Sequence, residues 1–211
     1  VTAVYVGIGD TVPAGKILAE LENSRERASL LQAEGAYEAA VVSGTGADIS
    51  LSEAKTGAQN EYRSAFTVAD DTVRNLTDDF FSNPTERIIG FRLDGNGRAL
   101  QFNAERGALE TILKTWETAV TQNTNTDTTQ SLNDAERDLT RIGNFVTDLS
   151  LIISDQDANN GLTEVEIASY KSRFSNARTR IDSALQSIST TRNTLLQAER
   201  SASNGSQSSQ A

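Results

Sequence analysis

The stretch LSEAKTGAQNEYRSAFTVADDTVRNLTDDF, Leu51 to Phe80, sets the reading of the chain. Its apolar stripe is Leu51, Ala54, Ala58, Tyr62, Ala65, Ala69, Val73, Leu76 and Phe80, in steps of 3, 4 and 4 that repeat. Such an eleven-residue repeat has about 3.67 residues per turn, so the stripe stays on one face of a straight or faintly right-handed helix. Its alanines let a neighbouring helix come close. Ser50 and Glu53 read as a capping box at the start. Ser82-Asn83-Pro84 reads as the stop, because proline disfavours helical geometry in the residue before it.

The same spacing recurs on both sides. Toward the N-terminus, Asn23 with Glu26 resembles a helix start. Leu30, Ala33, Tyr37 and Ala40 follow at three-four spacing, and Gly44-Thr45-Gly46 reads as the end of that first helix. Toward the C-terminus, Asn103 is the expected cap of a third helix with the stripe Leu109, Ile112, Trp116 and Ala119; Trp116 is read as core. After a polar loop, Thr121 to Thr129, a fourth helix carries Leu132, Ala135, Leu139, Ile142, Val146, Leu149 and Ile153. The fifth and longest runs Ile167, Tyr170, Phe174, Ala177, Ile181, Ala184, Ile188, Thr191, Leu195 and Ala198, a coiled-coil-like seam. At 1.5 Å per residue, Thr163 to Arg200 spans roughly 55–60 Å.

Residues 87–102 interrupt this order. Ile88, Ile89, Phe91 and Leu93 precede Asp94-Gly95-Asn96-Gly97, with Ala99, Leu100 and Phe102 after it. Two readings stand: a β-hairpin around the Asp-Gly/Asn-Gly turn, or an irregular cap over the end of a bundle. The Ser/Gln-rich residues 203–211 read as a flexible tail or linker.

Composition narrows the function classes. The 211 residues carry a net charge of −10, with no Cys, no His and no Met. Phosphate binding needs a basic face, so nucleic-acid binding is excluded from the reading. Without Cys or His there is no disulfide, no Cys/His zinc site and no His- or Cys-dependent nucleophilic catalysis. The missing Met reads as a processed or trimmed chain. No run is long and apolar enough to span a membrane. No catalytic residue is assigned. The acidic run Asp70, Asp71, Asp78 and Asp79 with Arg74 between reads as a solvated, salt-bridged face. The sequon Asn75-Leu76-Thr77 falls mid-helix, which argues against its use.

Before the helices stands VYVGIGDTVPAGKILAEL, Val4 to Leu21. Val4, Val6 and Ile8 alternate with Tyr5 and Gly7, Gly9-Asp10 and Pro13-Ala14-Gly15 are turn signals, and Ile17, Ala19 and Leu21 resume the alternation. Gly7-Ile8-Gly9 lacks the third glycine and the following helix of a nucleotide loop, so it reads as a turn. The pattern of Val4, Val6, Gly9, Asp10, Val12, Gly15, Leu18, Ala19 and Leu21 resembles one half of a biotinyl/lipoyl-like domain. In particular it is similar to the half that precedes the helical hairpin in periplasmic adaptor (membrane fusion) proteins of the hemolysin-secretion type. Ala69 to Asn75 and Phe80 to Pro84 are similar to segments of adaptor-like proteins whose hairpin is enlarged into a bundle. Lys16 is not at the tip position that carries biotin or lipoate in that family. The resemblance implies a non-enzymatic docking subunit of an efflux or secretion complex. It would lie on the periplasmic or extracytoplasmic face, anchored by a segment outside this chain. Its partners would be a membrane transporter, an outer component and further copies of itself. It also implies a second half-motif beyond Ala211, so the opening strands are expected to be poorly supported here.

One loop invites a ligand. Asp155, Asp157, Asn159, Gly161, Thr163 and Glu166 align with an EF-hand calcium loop, with Leu162 at the apolar position. Asn160 stands where glycine is expected. The competing reading is ordinary: Thr163 and Glu166 form a capping box after an Asn-Gly turn. No other cofactor is expected.

The expected architecture is therefore mainly α. Residues 1–22 form half of a lipoyl-like β unit. Residues 23–202 form an antiparallel helical bundle with one long coiled-coil-like helix, and residues 203–211 the tail. The alternative function is an extracytoplasmic sensory or ligand-binding four-helix bundle, with calcium at Asp155–Glu166 as one candidate ligand.

Overall fold

The computed structural model describes residues 1–93, 97–122, 127–155 and 162–208. The chain is mainly helical, at 78%. In order come β1 (Ala3–Val4), β2 (Ala19–Glu20), α1 (Ser24–Asp70), a π-helical segment (Asp71–Thr77), a 3-10 turn (Asp78–Phe80), β3 (Phe81–Ser82), β4 (Gly90–Phe91), α2 (Ala99–Gln122), α3 (Thr128–Ser154) and α4 (Glu164–Ser208). Two compact units result: Val1–Asp48 with Ala202–Ala211, and Ile49–Ser201.

In the first unit β1 and β2 pair antiparallel, Ala3 with Glu20 and Val4 with Ala19. The Tyr5 N–H donates to the Leu18 carbonyl at 2.9 Å and the Tyr5 hydroxyl to Glu20 Oε2 at 2.9 Å. Gly9 (φ +96°) and Gly15 (φ +88°) take the left-handed backbone that their turns require. The Asp10 carboxylate closes the first turn by accepting the Gly7 N–H at 2.8 Å. Only two residues pair in each strand, and Val4, Ile8, Ile17 and Leu21 are exposed. An unstacked two-stranded ribbon has nothing to bury its apolar face against.

From Ser24 the helix runs on without the break expected at Gly44-Thr45-Gly46. Neither glycine has the positive φ of a helix C-cap. Gly44 instead meets Gly205 of α4: a Cβ built on Gly205 would lie 3.1 Å from the Gly44 Cα. Gly44 and Gly205 permit this backbone approach, while a Cβ at Gly46 would meet nothing within 4 Å. The expected flexible tail is corrected over residues 203–208, since α4 is helical to Ser208 and buries Ala202 and Gly205; residues 209–211 lie outside the described residues.

The second unit holds the core. Every expected stripe residue of α3, Leu132 through Ile153, is buried. In α4, Ile167, Phe174, Ala177, Ile181, Ala184, Ile188 and Leu195 are buried; in α1, Ala58, Ala65 and Ala69 are. Ser50 and Glu53 lie inside α1 and cap nothing. The hairpin over 87–102 does not form. Gly90–Phe91 pairs backward with Phe81–Ser82, and the chain from Ala99 is already helical, which leaves Asn103 inside α2. Asp94, Gly95 and Asn96 lie outside the described residues. An aromatic cluster accounts for this pairing. The Phe91 ring sits 5.3 Å from Phe81 and 4.8 Å from Phe102, and Phe81 and Phe102 both reach Phe145. Ring pairs at these separations add to the gain from burial.

A candidate functional site: buried charges at a π-helical turn

The Asp155–Glu166 loop is built as follows. Asp155 caps the end of α3, its N–H donating to the Leu151 carbonyl at 3.1 Å. Thr163 and Glu166 form a complete capping box at the start of α4. The Thr163 N–H and hydroxyl donate to Glu166 Oε2 at 2.8 and 2.7 Å, and the Glu166 N–H returns to Thr163 Oγ1 at 3.2 Å. The backbone N–H bond and then the hydroxyl bond hold the Glu166 carboxyl below its ordinary range. Asp157, Asn159 and Gly161 lie outside the described residues. Among the described residues no group of three or more carboxylates is gathered for a metal ion.

The acidic run is salt-bridged, as read, and stays part-exposed, from 21% at Asp78 to 55% at Asp79. Past Asp70, the helix widens into π geometry over Asp71–Thr77, then tightens into the 3-10 turn. π segments are rare and concentrate at functional positions. Here the widened turns distribute the four aspartates to separate partners. Arg74 pairs with Asp70 at 2.8 Å, a contact held by charge more than by hydrogen-bond geometry. Asp78 binds Arg106 of α2 at 2.7 Å, Asp79 binds Arg173 at 3.2 Å, and Asp71 binds Arg180, both of the latter on α4. Thr77 is buried and its hydroxyl donates to the Val73 carbonyl, so the sequon lacks an accessible threonine.

Arg106 and Glu110 are the centre of this layer, and neither was anticipated. The Arg106 side chain is fully buried and that of Glu110 is 8% exposed. Glu110 accepts from Arg106 at 3.0 Å and from Arg74 at 3.1 Å. Burial by itself would push the Glu110 carboxyl up. The hydrogen bonds from Arg74 and Arg106, then their charges, outweigh it and hold the group below its ordinary range. Asp70 goes the other way: burial raises its carboxyl, Arg74 offsets part of that, and Glu117, Glu110 and Asp71 add to the rise. A sequence signal for Arg106 did exist. It occupies the stripe position between Phe102 and Leu109, at the same three-four spacing as Leu113 and Trp116.

Around this layer the core is aromatic. Trp116 is buried, with Tyr62 at 5.3 Å and Phe66 at 5.9 Å. An open cleft of about 290 Å³ lies along the π segment, bordered by Asp71, Asn75, Arg173 and Arg180. Its guanidinium groups are paired with Asp71 and Asp79. The arrangement is suited to fixing helices in register. A partly desolvated set of two arginines and four carboxylates, Asp70, Asp78, Glu110 and the half-exposed Glu117, tolerates few alternative alignments of the helices. No protein-family model, curated protein or solved structure matches this chain.

Proposed function

We propose that this chain is the helical docking part of a non-enzymatic adaptor in a cell-envelope efflux or secretion complex. In this reading Ile49–Ser201 is an antiparallel four-helix bundle, and Val1–Glu22 is the first half of a lipoyl-like unit. The supporting observation is local. The two motif glycines, Gly9 and Gly15, sit at left-handed turns, the flanking strands pair Ala3 with Glu20, and a 47-residue helix begins two residues after the motif. A half-motif leading directly into a long helix is the order that the resemblance implies. The role is mechanical: helical seams give affinity, and a transporter partner supplies the energy.

Among the described residues no helix is long and apolar enough to cross a membrane, so attachment in this reading comes through another segment or a partner. The test is co-purification after cross-linking in intact envelopes. A membrane transporter recovered with the chain supports the proposal. Repeated recovery of the chain without any transporter refutes it.

A further inference from the structure

Residues five apart share the inward face of the π segment. Thr72 and Thr77 are 1% and 0% exposed. Val73 is fully buried, and Asp78 reaches the fully buried Arg106. In an α-helix five residues turn through about 500°, which leaves such pairs about 140° apart. π turns, closed by i→i+5 bonds, bring them together. The α form of the same residues has a different inward face. There Ala69, Val73, Leu76 and Phe80 line up at three-four spacing, and Asp78 points away from them. Thr72 and Thr77 return to the part-exposed places that Glu61 and Phe66 hold eleven residues earlier.

The π form has two unfavourable features. Leu76 is only part-buried and borders the open cleft, and the Thr72 hydroxyl is buried without a hydrogen-bond partner. The α form removes both. Three guanidinium groups from other helices oppose it. Arg106 donates to Asp78 at 2.7 Å, and Arg180 to Asp71. Arg173 donates at 3.2 Å to the Asn75 carbonyl inside the segment and at 3.2 Å to Asp79 beyond it.

We propose that residues 71–80 are a two-register switch. The π form is held by these arginines. The minor, α form turns Leu76 inward in place of Thr77 and Asp78. Two packings of one segment that differ by a small free energy make such an element bistable. Arg173 is the positioning residue, because it alone ties the segment to the turn that follows. A change at Arg173 on α4 is thereby transmitted through Asp78 to the Arg106–Glu110 pair on α2. The switch stands apart from the adaptor reading and rests on none of it.

The experiment is thiol labelling of the whole chain with a water-soluble maleimide. The chain has no cysteine, so Thr77→Cys supplies a unique probe. Thr72→Cys is a second one that loses no hydrogen bond. With the natural Arg173 both label slowly. Adding Arg173→Met raises the rate at either probe at least about tenfold, the weight of bonds made by one charged group. Adding Leu76→Ala to that variant lowers the rate again by about tenfold, because alanine gains little from facing inward. Mere loosening of the core predicts the opposite, since Leu76→Ala would then raise the rate further. A separate chain with its one cysteine at Ala135, buried in α3, stays slow in every background and reports on general unfolding. Three results each overturn the proposal: unchanged labelling with Arg173→Met, labelling at position 135 that rises in step, or a rate that Leu76→Ala does not lower.

Discussion

Replacing Glu110 by alanine leaves the fully buried Arg106 with Asp78 as its one remaining carboxylate partner and strips Arg74 of a second. Breaking a buried pair by removing one partner costs about 3–5 kcal/mol, because the remaining charge stays desolvated. Glu110 sits at the edge of burial, and Arg74 retains Asp70, so about 3 kcal/mol is expected here. For a unit of this size that lowers the melting temperature by about 6–12 °C. Removing both charges, with Arg106→Leu and Glu110→Leu together, leaves no fully buried charge; Asp78 loses Arg106 but is 21% exposed to water, so the pair should cost less than the single change. The assay is thermal and urea unfolding followed by the fluorescence of Trp116, a buried probe on the same helix as Arg106 and Glu110. A Glu110→Ala variant within about 1 kcal/mol of the parent, or a double variant no better than the sum of two singles, refutes the reasoning. The pH dependence carries a matching sign. The folded-state carboxyl of Glu110 lies below its unfolded value. Its contribution is therefore fully present above the unfolded pKa and is lost as pH falls through the folded one. Asp70 has the opposite shift. Its ionisation therefore weakens the folded state, and that penalty is relieved as pH falls from the raised folded value toward the unfolded one. The parent should lose stability on acidification below the ordinary carboxylate range, and Glu110→Gln should lose less.

Three further outcomes follow from the same geometry. Gly205→Leu cannot be placed without moving α4 from Gly44, since even its Cβ would stand 3.1 Å from the Gly44 Cα. Amide exchange at residues 202–208 should rise, and unchanged protection there would count against a packed helix end. Thr163→Ala removes both the hydroxyl donor to Glu166 and the acceptor of the Glu166 N–H. It should cost about 1 kcal/mol in urea unfolding, and a cost near zero would show that the box is not formed in solution. Calcium must compete with that same box for Glu166. Isothermal titration at millimolar calcium should give no heat, and a saturable exotherm would place the ion in the Asp155–Glu166 loop instead.

The stripes of α3 and α4 were readable because a buried helix face repeats every three or four residues whatever it packs against. Other signals were local in form but not in meaning. Gly44-Thr45-Gly46 has the composition of a helix end, and Ser206 with its neighbours that of a linker. Both are helical, and Gly44 and Gly205 let the two backbones meet, a contact between positions about 160 residues apart. The segment 87–102 looked like a hairpin because Asp-Gly and Asn-Gly are strong turn signals. The pairing went to Phe81–Ser82 because Phe91 gains more by joining Phe81, Phe102 and Phe145 than by facing its own neighbours. Within the candidate site the aspartates and Arg74 were visible, and their partners Arg106, Glu110, Arg173 and Arg180 were not. The i,i+4 spacing of Arg106 and Glu110 was there to read within α2, but the pairings that cross between helices depend on which surfaces meet, and no single helix records those.

Read alone, then, the sequence determined a mainly helical chain, the residues of its buried stripes and the absence of histidine and cysteine chemistry. These are properties of short windows and of composition. The tertiary structure decided where glycine means contact instead of termination, which strand Phe91 joins, and that a part-exposed acidic run meets a buried Arg106–Glu110 pair from another helix. Each of those outcomes depends on a free-energy difference between alternative partners, and the partners are brought together only when the chain is folded.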